Sequence, residues 1–232
     1  MRFFIPVAAA AIALPLLATA CSPATSTSGP ATKATSAAPA NPNAGLLTGT
    51  QLKALLAPAS WFPSGFQLDP NGSVDTGSGY QPPSPPGKLT CSRLDATSWI
   101  ELSGVGGVSF AQDDYVNHST SEQYAQEIDV YRGTSAQGVM AGLRKLASTC
   151  PHFRDAQTSS TVTVKLKQGP HLGDDALTFL LKSPRWAGGT ALEAVRVGTA
   201  VVSVLFSASG GTGKTQATKL ATLVTTNLKN KA

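Results

Sequence analysis

The run Ala208-Ser209-Gly210-Gly211-Thr212-Gly213-Lys214-Thr215 comes close to a phosphate-binding loop, in which glycine amides and one lysine wrap a phosphate chain. Its first position holds Ala208 where that pattern needs glycine. It also joins the last predicted strand to the last predicted helix, so no later strand remains to offer a magnesium-binding aspartate. We read it as a loop ahead of a helix, with Thr212 placed to cap it, and expect no nucleotide. A nucleophilic serine would need a base in reach, and neither G-x-S-x-G nor S-x-x-K occurs. His118, His152 and His171 are scattered, without the paired spacing that zinc requires; no metal and no cofactor is expected. Asp113-Asp114 and Asp174-Asp175 are adjacent pairs, whose side chains would point to opposite faces within a strand; for Gly173-Asp174-Asp175 a turn or capping role is the better reading. Arg196, mid-strand on the side of Leu192 and Ala194, either pairs with an acid across strands or contacts an anionic ligand. Arg185-Trp186 lies in the turn Ser183–Gly189, as a binding tip or folded back on the sheet. These residues name no reaction, and the chain is expected not to be an enzyme.

Cysteine chemistry is more informative. The chain has three cysteines. Cys21 ends the run Leu17-Ala18-Thr19-Ala20-Cys21, which resembles the lipobox of bacterial prolipoproteins, with Ala18 where Leu is commonest. Such a cysteine takes a diacylglyceryl group on its thiol, is further acylated (palmitate is the expected chain) and becomes the N-terminus. Ahead of it stand one positive charge, Arg2, and an uncharged apolar run broken by Pro15, with no basic stop-transfer cluster behind. That is a signal peptide, residues 1–20, rather than a membrane span. Two acyl chains anchor stably where one does not. Cys91 and Cys150 are then an even pair in an exported chain, which reads as a disulfide.

Residues 21–45 comprise the lipidated Cys and a Ser, Thr, Ala, Pro tether with little to bury. The remaining stretch, residues 46–232, is long enough for one domain with a real core. The whole chain has 22 Gly, 16 Pro and 13% charged residues, which favours a domain rich in strands and turns. The chain carries +5; loss of Arg2 leaves 17 basic and 13 acidic residues, or +4. From Leu94 to Tyr131 there are seven acids and no Lys or Arg, whereas from Arg132 onward there are 13 basic and four acidic residues. Either acidic strands pack near basic ones, or the acids form a charged docking surface. An exported domain does not meet nucleic acid, so none is expected as a partner.

Hydrophobic periodicity places the elements. A short helix is predicted over Thr48–Ala57, ended by Pro58, and a long Gly/Ser/Pro loop over Asn71–Gly87. Strands are predicted at Leu89–Leu94, Ser98–Ser103, Val105–Ala111 and Tyr124–Tyr131. In the last of these Tyr124, Gln126, Ile128 and Val130 alternate with Ala125, Glu127, Asp129 and Tyr131. A helix starts at Thr134 with a capping box and runs to Cys150, stopped by Pro151; the disulfide would pin its end to the first strand. Four strands follow, at Thr161–Lys167, Ala176–Lys182, Ala191–Val197 and Ala200–Phe206. The last is nearly all apolar and is expected mid-sheet. A closing helix spans Thr215–Leu228. The expectation is an α+β fold: a mostly antiparallel sheet, two long helices packed on one face, and a short N-terminal helix.

Gln51-Leu52-Lys53-Ala54-Leu55-Leu56, the aromatic Pro-Gly turn at 61–66, Cys91-Ser92-Arg93-Leu94, Val130-Tyr131, Cys150-Pro151-His152-Phe153, Leu172-Gly173-Asp174-Asp175-Ala176 and Val195-Arg196-Val197-Gly198 stand in a recognisable order. That order resembles the extracellular sensor domain of PknH-type actinobacterial serine/threonine kinases and of lipoproteins that carry the same domain without a kinase. The resemblance covers about 48–228. It implies an antiparallel sheet with packed helices, a ligand cleft, and no catalytic residues. Kinase-linked members have two disulfides, and this chain has cysteines for one. The expected function is a membrane-anchored extracytoplasmic lipoprotein, on the outer face of the cell membrane, with a non-catalytic sensor-like domain. It would bind a small molecule, glycan or envelope protein, with Arg196, Arg185 and Trp186 as candidate contacts. A lipid or glycolipid carrier of the envelope, and an envelope hydrolase, are the alternatives; a carrier would need a closed apolar cavity.

Overall fold

A computed structural model describes residues 41–84, 87 and 90–231. The signal peptide at 1–20, Cys21 and all but the end of the tether lie outside the described residues.

Helix α1 (Gly49–Lys53) is shorter than the leucine spacing predicts. It opens on a reciprocal cap: Gln51 N–H donates to Thr48 Oγ1 at 3.4 Å and Thr48 N–H donates to Gln51 Oε1 at 2.9 Å. Two short edge strands follow, β1 (Gln67–Leu68) and β2 (Val74–Asp75), both paired with β3 (Ser109–Asn117). Strand β4 (Glu122–Val130) returns beside β3, and helix α2 (Ser135–Thr149) then carries the chain across the sheet. Strands β5 (His152–Asp155), β6 (Ser160–Gln168), β7 (Asp175–Lys182), β8 (Gly189–Val197) and β9 (Ala200–Ser207) meander back, and helix α3 (Lys214–Lys231) closes the fold.

The nine strands form one antiparallel sheet ordered β1-β3-β4-β9-β8-β7-β6-β5, with β2 alongside β3. Apolar β9 therefore lies in the middle, as its composition demands. The turn into it is tight: Gly198, at φ 57, and Thr199 link paired Val197 and Ala200. The mostly antiparallel α+β class agrees with the sequence reading, but the placing of the helices does not. Strand residues alternate between faces. Ala191 and Val195 of β8 and Val202 and Val204 of β9 join the core that α3 completes with Leu220, Val224 and Leu228. Their neighbours Leu192, Ala194, Val201 and Leu205 join a second core with Val139, Met140 and Leu143 of α2. The two long helices thus cover opposite faces. Periodicity shows which side of a helix is apolar, not which sheet face it meets. Each buried Leu or Val contributes about 2 kcal/mol, so both layers are firmly held.

The cysteine-bearing segment also differs from expectation. Cys91–Asp95 and Trp99–Ser103 are 3-10 helices rather than strands. Trp99, Ile100 and Leu102 are all buried, a local spacing that suits a tight helical turn as well as a strand. Cys91 and Cys150 are disulfide-bonded with Cα atoms 5.5 Å apart, so the bridge joins the end of α2 to a 3-10 turn. Thr134 makes no side-chain cap; α2 begins at Ser135 without the predicted box.

Candidate functional site

The α2 face of the sheet is mostly apolar over β5 to β9 and changes character over β3 and β4. There the side chains facing this side include Phe110, Gln112 and Asp114 from β3 and Ala125, Glu127 and Asp129 from β4. The register sets Gln112 opposite Glu127 and Phe110 opposite Asp129. Helix α2 does not reach this corner. Segments distant in sequence wall it instead: the 3-10 helix with Ile100 and Glu101, the stretch Val105–Val108, and the chain from Val74 to Ser84. That last chain is tied along β3 by Thr76 N–H to Phe110 O at 3.1 Å and Gln81 N–H to Val108 O at 2.8 Å. Together they enclose a cavity of about 290 Å³.

Its floor is acidic. Glu127 is 5% exposed and Asp129 8%, and Glu127 Oε2 and Asp129 Oδ2 have no hydrogen-bond partner among the described residues. Buried carboxylates are expensive unless paired or bonded. Burial is the main reason Asp129 is pushed up to about 8, with Glu101 adding its charge. Burial likewise raises Glu127 well above the usual carboxylate range, and Asp129, Glu101 and Asp114 push the same way. Asp114 rises to about 6, chiefly through burial, although bonds from Gln112 and Thr97 oppose it. At neutral pH Asp129 therefore largely keeps its proton, whereas Asp114 has mostly ionised.

The acids between Leu94 and Tyr131 find few cations. Asp113 meets Lys53 at 2.8 Å, and Arg93 meets Glu101 at the cavity rim. Asp113 and Asp114 do point apart, the first to Lys53 and the second to Gln112 Nε2 at 2.9 Å.

The residues singled out from sequence do not gather here. Arg196 Nη1 donates to Asp174 Oδ2 at 2.9 Å and to Gly198 O at 3.2 Å. Asp174 Oδ2 also accepts Gly198 N–H at 2.7 Å, making a closed turn cluster. Asp175 takes Arg144 instead, at 2.6 Å. Arg185 is exposed. Trp186 is half-buried against the α2-side core, and its indole N–H donates to Asp155 Oδ2 at 2.9 Å. The three histidines are exposed and separate. In the glycine loop, Ser209 N–H and Oγ both donate to Glu122 Oε1, at 3.1 and 2.8 Å. A carboxylate thus stands where a phosphate would have to approach. Among the described residues no group of three His, Cys, Asp or Glu is arranged to hold a metal.

The sequence does signal the acidic pair, since Glu127 and Asp129 share one side of an alternating strand. What hides the cavity is its cover. Alternation assigns that side to solvent, and the segment that buries it lies some 20 to 50 residues earlier in the chain.

Among the described residues no helix is long and apolar enough to cross a membrane. No protein-family model matches the chain, and no curated protein matches it. Among solved structures it is similar to the extracellular domain of PknH from Mycobacterium tuberculosis, at 12% identity and a TM-score of 0.53, over 79% of this chain and 97% of that one. At that identity the likeness is one of fold: a PknH-like antiparallel sheet flanked by helices.

Proposed function

We propose that this chain is an exported lipoprotein, acylated at Cys21 and held on the outer face of the cell membrane. In this reading its sensor-like domain binds a ligand or partner in the β3–β4 cleft and catalyses nothing. The single observation that carries binding is the pair of unpartnered carboxyl oxygens on Glu127 and Asp129, buried in a cavity of about 290 Å³. Each buried group left without a partner calls for an explanation, and a bound ligand would supply one here. The export signal ahead of Cys21 and the Cys91–Cys150 bridge support the location. The fold shared with an extracellular domain agrees with it. A lipid carrier fits less well, because an acyl chain gains nothing beside two carboxyl groups. For a hydrolase, no nucleophile hydrogen-bonded to a base lines the cleft among the described residues.

The test has two arms. Cells grown with an alkyne fatty acid should label the wild-type protein and leave Cys21→Ala unlabelled and released from membranes. Native mass spectrometry of protein extracted gently from membranes should find a retained small molecule or partner that Glu127→Gln/Asp129→Asn protein lacks. Unlabelled wild-type protein would remove the anchor. Equal cargo on both forms would remove the cleft.

A further inference from the structure

We infer that the β3–β4 cleft takes a small organic cation, an ammonium or guanidinium head on a short aliphatic stem, with the head seated between Glu127 and Asp129. This rests on reading the cleft as a binding site and names the chemistry of what enters it.

The two carboxyl groups stand two residues apart on one strand face, about 7 Å along it. A small cation between them reaches both. Each presents one oxygen with no donor among the described residues; once ionised, the pair offers acceptors and no donor of its own. An ammonium has three N–H donors and a guanidinium five. The charged and titratable groups facing this point are Glu101 from the 3-10 helix, Asp114 from β3 and Tyr131 just after β4. Among the described residues the one cation paired with this group is Arg93, engaged with Glu101. An anion would find no Lys or Arg among the lining residues, and a neutral acceptor could take only the carboxyl protons.

The walls decide between a metal ion and an organic cation. Calcium takes six to eight oxygens, and no metal-type cluster occurs among the described residues. Val74, Ile100, Val108 and Phe110 line the cavity above the acids, suiting methylenes, and the Phe110 ring can also face a cation. The volume lies at the small end for ligand pockets, which fits a head with a short stem.

Entry of the cation reverses the cost of ionising these carboxyls. The proton held by the acid pair passes to solvent, and the ligand's charge replaces it. Affinity should therefore rise with pH toward 8, and protons should appear in the buffer.

The experiment is calorimetric titration of the full chain in detergent with cadaverine and with agmatine, against 1-pentanol and glutarate as controls, at pH 6 and pH 8. We expect at least one amine to bind with submillimolar Kd at pH 8 and at least threefold more weakly at pH 6. Heats in buffers of different ionisation enthalpy should report proton release. Asp129→Asn and Glu127→Gln keep shape and should each weaken binding at least tenfold while the protein stays folded by circular dichroism. Amines that bind no better than 1-pentanol would overturn the inference. So would amine binding that both variants retain, or stabilisation by calcium chloride where the amines give none. If the amines fail while native mass spectrometry still finds a neutral cargo dependent on the acid pair, the binding domain stands and only its cationic ligand falls.

Discussion

Gln112 stands directly opposite Glu127 across β3 and β4, yet it gives both amide hydrogens elsewhere, to Asp114 Oδ1 at 2.9 Å and Thr97 Oγ1 at 3.1 Å. Its Oε1 accepts from Ser98 Oγ at 3.1 Å. The side chain best placed to serve Glu127 instead fastens the cavity wall to the sheet. Wall and acid are thus linked: the contacts that close the cavity leave its acidic floor unsatisfied.

Stability should fall as pH rises from about 4 to 8. Asp129, at about 8, and Asp95 and Asp114, each at about 6, keep protons in the folded chain that the unfolded chain releases near 4. Their contribution is full below the unfolded value and is lost as pH climbs through the folded ones. Asp155 has the opposite sign. Bonds from Thr158 and Trp186 hold it down at about 2, so its contribution is lost as pH drops below about 4. Urea midpoints should peak between pH 4 and 5. Asp129→Asn should flatten the alkaline limb and narrow the loss of stability between pH 5 and pH 8. An unchanged slope in that variant would mean that Asp129 is not the buried acid.

Much of this fold could be read from alternation and apolar stripes. Strands β4 and β6 to β9 and helices α2 and α3 lie close to their predicted places, because each buries one regular face. Strand β5 escaped notice. It has four residues, with only Phe153 and Asp155 buried, too short a signal beside charged neighbours. The apolar residues of Trp99–Ser103 fit a strand as well as a 3-10 turn, so their spacing does not separate the two. The cleft was half legible: Glu127 and Asp129 were assigned to one side of β4, but strand order and the cover from residues 74–108 are long-range facts. The Arg196 ambiguity turned on one partner, Asp174, which lies just before a strand rather than within one.

Gln126 should be a stability hot spot. It is fully buried, with Nε2 donating to Ala57 O at 3.0 Å and Oε1 accepting Ala57 N–H at 2.7 Å. This amide clamps the segment after α1 onto β4. Gln126→Leu strands a backbone donor and acceptor at once and should cost about 2–4 kcal/mol. Chemical denaturation would measure this. By contrast Arg196→Ala breaks a pair whose acid is half exposed and should cost under about 1 kcal/mol, leaving ligand binding unchanged.

Reducing the disulfide should loosen the cavity wall before the sheet. Cys91 and Cys150 are 59 residues apart, and loop-closure entropy alone gives about 4 kcal/mol for such a bridge. The freed end is the segment carrying Ile100 and Glu101. Hydrogen exchange on a Cys91→Ala/Cys150→Ala protein should rise first over 91–108, with β8 and β9 still protected. Uniform loss of protection would show that the bridge holds the whole domain.

Two glycines in α2 should respond oppositely to the same change. A mid-helix Gly→Ala substitution ordinarily stabilises by about 1 kcal/mol. At Gly138 an added Cβ meets only Val105 Cγ2 at 3.7 Å, an ordinary contact, so Gly138→Ala should raise the melting temperature. At Gly142 the added Cβ would lie 2.2 Å from Ser103 O and 3.0 Å from Ser103 C, backbone atoms that cannot swing aside. Gly142→Ala must push α2 off the 3-10 helix, and packing strain of about 1–3 kcal/mol outweighs the propensity gain. Since that 3-10 helix carries Ile100 and Glu101 into the cleft, the same substitution should weaken whatever binds there, and Gly138→Ala should not. Equal melting shifts in the two variants would mean that α2 and the wall are not in close backbone contact.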